Sequence, residues 1–211
     1  EVSPVWVFIE PEAEPNFEDS EADACALTAS DVYVDPNQAQ ECIDDGCGYE
    51  NTPFRTIAQA LALIMPSEDN QVTLHLASGT YSYQEGESFP ISVPSYVNLQ
   101  GENEETTIFD LTPINACGPS GLSINNGSNI AISNITITGM ISCNSNGAIK
   151  ITNGSDSTVT LSDMIITGNA QINSGTGGVG IYINNASPIL TNLVVSENTI
   201  SPPGALESYI H

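Results

Sequence analysis

Ser133-Asn134-Ile135-Thr136-Ile137-Thr138-Gly139 returns as Ser162-Asp163-Met164-Ile165-Ile166-Thr167-Gly168, and again as Thr191-Asn192-Leu193-Val194-Val195-Ser196-Glu197, with the same 29-residue step both times. A second element precedes each copy: Ile124-Asn125-Asn126-Gly127-Ser128, Ile151-Thr152-Asn153-Gly154-Ser155 and Ile183-Asn184-Asn185-Ala186-Ser187. Each unit thus holds a strand-like run, an Asn-bearing turn, a second strand-like run and a polar corner. A fixed period of about 20–50 residues marks a repeat architecture, and without helices in the unit the choice is a β-solenoid or a propeller. A propeller blade fits four strands into about 40–45 residues, too many for a 29-residue unit. In a solenoid, successive coils pair in parallel about 4.8 Å apart, so each side chain stacks on its counterpart one coil away. Ile, Val and Leu then form inward ladders, and Asn ladders through its amide at the turns. The expected fold is an all-β, right-handed parallel β-helix (β-solenoid).

Upstream of the repeats, short strand-like runs fall at Val72–Leu76, Ile91–Val93, Tyr96–Leu99 and Thr107–Leu111. Residues 53–65 differ. Apolar residues at 54, 57, 58, 61, 64 and 65 trace one helical face, with Thr52 as N-cap candidate, Pro53 at the first position and Pro66 as terminator. The end of a β-stack exposes backbone groups and core, so this single α-helix is expected to be an N-terminal cap. The expected organisation is residues 1–24 as N-terminal strand and acidic arm, 25–71 as cap, 72–198 as coils and 199–211 as C-terminal tail. Val5-Trp6-Val7-Phe8-Ile9 is an apolar, β-prone run on the acidic tether 10–24. It reads either as a strand of the domain's own sheet or as a strand lent to a neighbouring subunit for self-association.

Of five cysteines, Cys117 lies 7 residues before Ile124 and Cys143 lies 8 before Ile151. They occupy nearly the same corner of adjacent coils, within the separation a disulfide needs. Cys42 and Cys47 lack the further Cys or His of a zinc site, so a disulfide is the better reading. Cys25 is left unpaired or linking subunits. Glu1 opens the chain with neither a basic region nor an apolar run, so the sequence reads as a mature form. Paired cysteines then imply an extracellular, secreted or cell-surface setting. Four sequons (Asn126, Asn134, Asn153, Asn185) are glycosylation acceptors in a eukaryotic setting, with chance occurrence in an Asn- and Ser-rich chain the better reading.

The formal charge of −24 arises from 26 acids against 2 bases, in a chain only 13% charged, where an ordinary domain has about 25%. The protein is base-poor more than acid-rich. Residues 1–50 carry 14 of the acids and residues 106–211 only 5. Displacing counterions from a nucleic-acid backbone needs Lys and Arg, and Arg55 and Lys150 are the only two. Nucleic acid and anionic membrane surfaces are excluded on sign. No stretch approaches the ~20 apolar residues of a membrane span. Divalent cations remain attractive, and Asp31, Asp35, Asp44, Asp45 and Glu50, with Asn37, offer hard oxygens around the cap loop for calcium. The spacing matches no EF-hand, and a solvated acidic loop is the plain alternative.

The run from Asp31 to Leu111 resembles the N-terminal part of pectin-lyase-like β-helix proteins. The resemblance is closest to an uncharacterised domain group that precedes β-helix repeats in secreted proteins. Its carriers are the first strand with Asp31 and Asp35, Pro53-Phe54-Arg55-Thr56-Ile57, Ser78-Gly79-Thr80-Tyr81, Gly86-Glu87-Ser88-Phe89-Pro90 and Leu99-Gln100-Gly101. It implies the fold, and little about function, because one fold hosts many chemistries. The lyases of that superfamily remove a proton with Arg or Lys. Here the resemblance gives Arg55 a structural place in the cap, and Lys150, between Ile149 and Ile151, should point outward. The hydrolases need clustered carboxylates, whereas Asp156, Asp163 and Glu197 stand apart, Asp163 within an Asn ladder. His75 reads as a satisfied or surface residue. The sequence therefore favours a non-catalytic structural or adhesive protein, a homo-oligomer, filament or surface layer formed through its N-terminal strand and uncapped far end. The competing class is a polysaccharide-active enzyme or carbohydrate-binding module using Tyr33, Tyr49, Tyr81, Tyr83 or Tyr182, which the sequence does not gather on one face.

Overall fold

A computed structural model describes residues 27–38, 46–113, 117–143, 147–154, 158–172 and 177–201. In chain order the elements are β1 (Asp31–Val34), α1 (Ile57–Leu63), β2 (Val72–Leu76), β3 (Gly79–Ser82), β4 (Ile91–Ser92), β5 (Val97–Gly101), β6 (Thr107–Asp110) and β7 (Leu122–Asn125). There follow β8 (Ile130–Thr138), β9 (Ile141–Ser142), β10 (Ile149–Thr152), β11 (Val159–Thr167), β12 (Ala170–Ile172), β13 (Ile181–Asn184), β14 (Ile189–Ser196) and β15 (Thr199–Ser201). They wind into a parallel β-solenoid of about four turns. One sheet runs β1-β2-β5-β8-β11-β14, a second β13-β10-β7-β4 and a third β15-β12-β9, with β3 and β6 stacked on the far half of β8.

Each of β8, β11 and β14 spans two faces because its chain bends at one residue in the left-handed region: Asn134 (φ 60°), Asp163 (φ 53°) and Asn192 (φ 51°). Asn and Asp tolerate that conformation better than other non-Gly residues. The bend resets the in–out alternation, so Ile132 and Ile135 are both buried although they stand at an odd spacing. The repeat period is the coil register itself: Ile135 pairs with Met164 and Met164 with Leu193. Ile124, Ile151 and Ile183 also stack, although the chain between the second and third is longer than that between the first and second.

Three features differ from the sequence expectation. The helix is shorter than 53–65, and its N-cap is Thr56 rather than Thr52. The Thr56 hydroxyl accepts from Gln59 N at 3.2 Å while Gln59 Oε1 accepts from Thr56 N at 3.2 Å, a reciprocal capping box. Phe54 is instead a rung of the stack: its N–H donates to Tyr33 O at 2.9 Å and its carbonyl accepts from Asp35 N at 2.8 Å. A residue spent on that ladder cannot also be helical. The stack itself begins at β1, since Val32 pairs in parallel with Leu74, so coil structure reaches into the region expected to be cap. At the far end it continues through β15, where Thr199 pairs with Ala170, into the region expected to be tail.

The core is one continuous column, running from Val32, Phe54 and Ile57 at the α1 end through Leu74, Leu99, Ile132 and Leu161. α1 covers its first coil with Ile57 and Ala60. Glu87, distant in sequence, reaches the helix start, and its carboxylate accepts from Ile57 N (2.7 Å), Ala58 N (3.2 Å) and Ser88 N (3.0 Å). Burial pushes the Glu87 carboxyl above the usual range, and these three N–H donors oppose the shift. Cys117 and Cys143 are disulfide-bonded with Cα atoms 5.6 Å apart. Cys47 is also disulfide-bonded. Cys25 and Cys42 lie outside the described residues.

Candidate functional site

Two surfaces stand out. The first is a cleft of about 450 Å³ on the outer side of the first coils, between the β1-β2-β5 sheet and the loop around Glu50. Strand alternation turns Tyr33, His75 and Gln100 outward at one rung level on β1, β2 and β5. The Tyr33 and His75 rings stack with centroids 4.9 Å apart and planes 22° from parallel. Asp31 Oδ1 lies 2.8 Å from His75 Nε2. This hydrogen bond, with a second from Ser30, holds the Asp31 carboxyl below the usual carboxylate range.

Asp35, Glu50 and Glu102 also line the cleft. Asp35 Oδ1 accepts from Asn37 N and Nδ2, both at 2.9 Å. Glu102 accepts from the Ser78 hydroxyl (2.8 Å) and Ser78 N (3.0 Å), which lower its pKa. The cleft therefore offers hydrogen-bond acceptors beside a stacked Tyr33–His75 ring pair. Its composition suits a ligand rich in donors better than an anion.

Of the calcium candidates, Asp35 and Glu50 share the cleft and Asp31 reaches its edge through His75; Asp44 and Asp45 lie outside the described residues. Among the described residues no three His, Cys, Asp or Glu side chains group closely enough to hold a metal ion. The tyrosines disperse. Tyr81 is core, with its hydroxyl donating to Val34 O and Ala77 O at 3.1 Å, and Tyr83 packs edge-on against Phe89. Tyr182 accepts from Asn184 Nδ2 at 2.8 Å on a later coil, Tyr49 is exposed, and of the five only Tyr33 lines the cleft. Arg55 pairs with Glu85 at 3.1 Å beside the cap. Lys150 occupies a rung between Ser123 and Tyr182, and Asp163 accepts from Asn192 Nδ2 at 2.6 Å in the bend ladder. Asp156 lies outside the described residues.

The second surface is the last described coil. Its inward-stacking positions repeat those of buried rungs, yet Ile183, Leu190, Val195 and Ile200 are 40–56% exposed. The strand Val5, Trp6, Val7, Phe8 and Ile9, expected to contribute to assembly, lies outside the described residues, as does the tail beyond 201.

One internal polar stack escapes the sequence reading. Asn169 is fully buried and hydrogen-bonds Met140 N, Ile137 O and Thr167 O, and its Nδ2 donates to Asn198 Oδ1 at 2.9 Å. Asn169 and Asn198 are separated by the same step as the other repeats, so the signal that could find them is present in the sequence.

No curated protein and no solved structure matches the chain. Residues 42–109, less than half of its length, match the family model described as a protein of unknown function (DUF1565), whose span holds the cap helix and the first coils.

Proposed function

We propose that the protein is a non-catalytic, extracellular structural or adhesive β-solenoid that assembles through its exposed end. The observation that carries this reading is the last described coil, which presents an apolar rung set to solvent where a further layer would bury it. A contiguous exposed apolar surface on a soluble protein marks an interaction site. The Cys117–Cys143 bond supports an oxidising location. Val5–Ile9 would supply a second contact, which a filament or surface layer requires. Calcium at the cap loop, taken by Asp44 and Asp45 together with Asp31, Asp35 and Glu50, belongs to this reading as a stabiliser of the cap. Equal melting temperatures in excess Ca²⁺ and in chelator would remove it.

Electron microscopy of the purified full chain is the test, beside a chain lacking residues 1–24. Ordered assemblies that shorten or vanish on the deletion are expected. Isolated particles under all conditions would sink the assembly reading.

A second reading, carbohydrate binding, is favoured by the Tyr33–His75 ring pair beside acceptor groups in the cleft. Titration with neutral oligosaccharides, followed by tyrosine fluorescence, is expected to saturate in the native chain and to fail in Tyr33→Ala. Absence of any response in the native chain rules it out.

A further inference from the structure

We infer that the open coil docks on the open coil of a second copy, tail to tail, forming a closed two-fold dimer. This rests on the structural reading above and names the partner of the same surface.

Among the described residues β14 pairs with β11 alone, on one side. Edge strands are ordinarily guarded against further pairing by Lys, Pro, an inward charge or a bulge. The β14 run Ile-Leu-Thr-Asn-Leu-Val-Val-Ser contains neither a charge nor a proline. Its outer edge and exposed Leu190 and Val195 thus form an unguarded template.

Charge selects the partner. A protein of formal charge −24 repels its own copies, but the repulsion is unevenly spread. Within 177–201 the only charged residue is Glu197, whereas the acidic residues crowd the first half of the chain. A tail-to-tail approach keeps the two acidic ends farthest apart and joins the two nearly neutral ones.

The outline of the coil fits the same rotation. On either side of the Asn192 bend lie the two halves of β14, then β13 on one flank and β15 on the other. Turning the coil over about an axis through the bend lays one half of β14 on the other and β13 on β15. The strands of the two copies then meet antiparallel, and both copies use the same surface, so the contact is isologous. α1 and Phe54 close the opposite end of the stack. With one open coil per chain among the described residues, this contact stops at two copies.

Light scattering coupled to size exclusion, run on the 211-residue chain from low to high micromolar concentration, is expected to give a dimer as the smallest associated species, the unit from which larger assemblies grow through Val5–Ile9. Leu190→Asp combined with Val195→Asp places like charges against each other across the two-fold and is expected to give a monomer with an unchanged circular dichroism spectrum. If that variant folds poorly, Ile183→Asp on β13 is expected to do the same from a neighbouring face. The dimer should persist in a chain lacking residues 202–211. A native chain that stays monomeric at every concentration overturns the inference. So does a monomer that dimerises only when 202–211 are removed, which would make those residues the occupant of the open coil. Assemblies seen by microscopy that survive both Asp variants overturn the tail-to-tail contact while leaving the structural role standing.

Discussion

Ile137, Ile166 and Val195 hold the same position on three successive coils. Ile137 and Ile166 are fully buried and Val195 is 51% exposed. The residues are chemically alike, but among the described residues Ile137 and Ile166 are paired on both sides and Val195 on one, so the difference lies in the layer stacked beyond each. In a solenoid each coil is buried by its neighbours, and stability is close to a sum of coil and interface contributions. The α1 end and the open end of this molecule are thus the same architecture with and without a final layer. At the α1 end, Phe54, Ile57 and Ala60 supply that layer and Glu87 caps the helix that carries it.

The widest gap between the two ends should appear on truncating one rung position. Ile166→Ala, inside the column, is expected to cost about 2–5 kcal/mol in urea unfolding. A cost under about 1 kcal/mol would mean that the inner coils are already loose and would break the comparison. Next comes the corner disulfide. Replacing Cys117 and Cys143 with Ser is expected to cost about 3 kcal/mol through the freed loop, read as a lower melting temperature. An unchanged melting temperature would show that stacking alone holds the corner.

Asn169→Ala leaves Met140 N without its acceptor inside the column and is expected to cost about 1–3 kcal/mol. The same change at Asn192, on the exposed coil, should cost less, and equal losses would deny that burial sets the difference. The α1 end adds a pH signature. Because burial raises the Glu87 carboxyl, the folded state binds its proton more readily than the unfolded chain. Its contribution to stability is fully present below the ordinary carboxylate pKa and is lost as pH rises through the elevated folded value. Asp31 and Glu102, held low, act with the opposite sign at more acid pH. Denaturant titrations between neutral and mildly acid pH should therefore flatten in Glu87→Gln, and an unaltered slope would contradict the assignment. The smallest effect belongs to Val195→Ala, expected within about 0.5 kcal/mol when measured on dilute monomer, as for other exposed positions.

Legibility from sequence divides the molecule in the same way. From Ile132 to Leu161 to Leu190 the register advances by a constant step, and the repeated run exposes it directly. Nearer α1 one rung is built from Val32, Leu74, Leu99 and Ile132, and the three intervals between them are all different. Corner loops of different length leave each rung in place but erase the period, so no self-comparison of the sequence finds these coils. The cleft lies there. Tyr33, His75 and Gln100 stand in one row, yet nothing in their spacing announces it. The helix boundary is hidden for a local reason: Phe54 fits the apolar helical face as well as it fits the strand rung it occupies. His75 reads as satisfied or surface from its neighbours in sequence, and the structure adds its partners, Asp31 and Tyr33.

The left-handed bends at Asn134, Asp163 and Asn192 also make the molecule a ruler. Between them every coil ends as it began, one strand spacing of about 4.8 Å further along. Duplicating one repeat unit at a bend would lengthen the column by that increment and carry the same exposed coil outward, leaving its chemistry unchanged. Length and end chemistry are therefore separately adjustable in this chain.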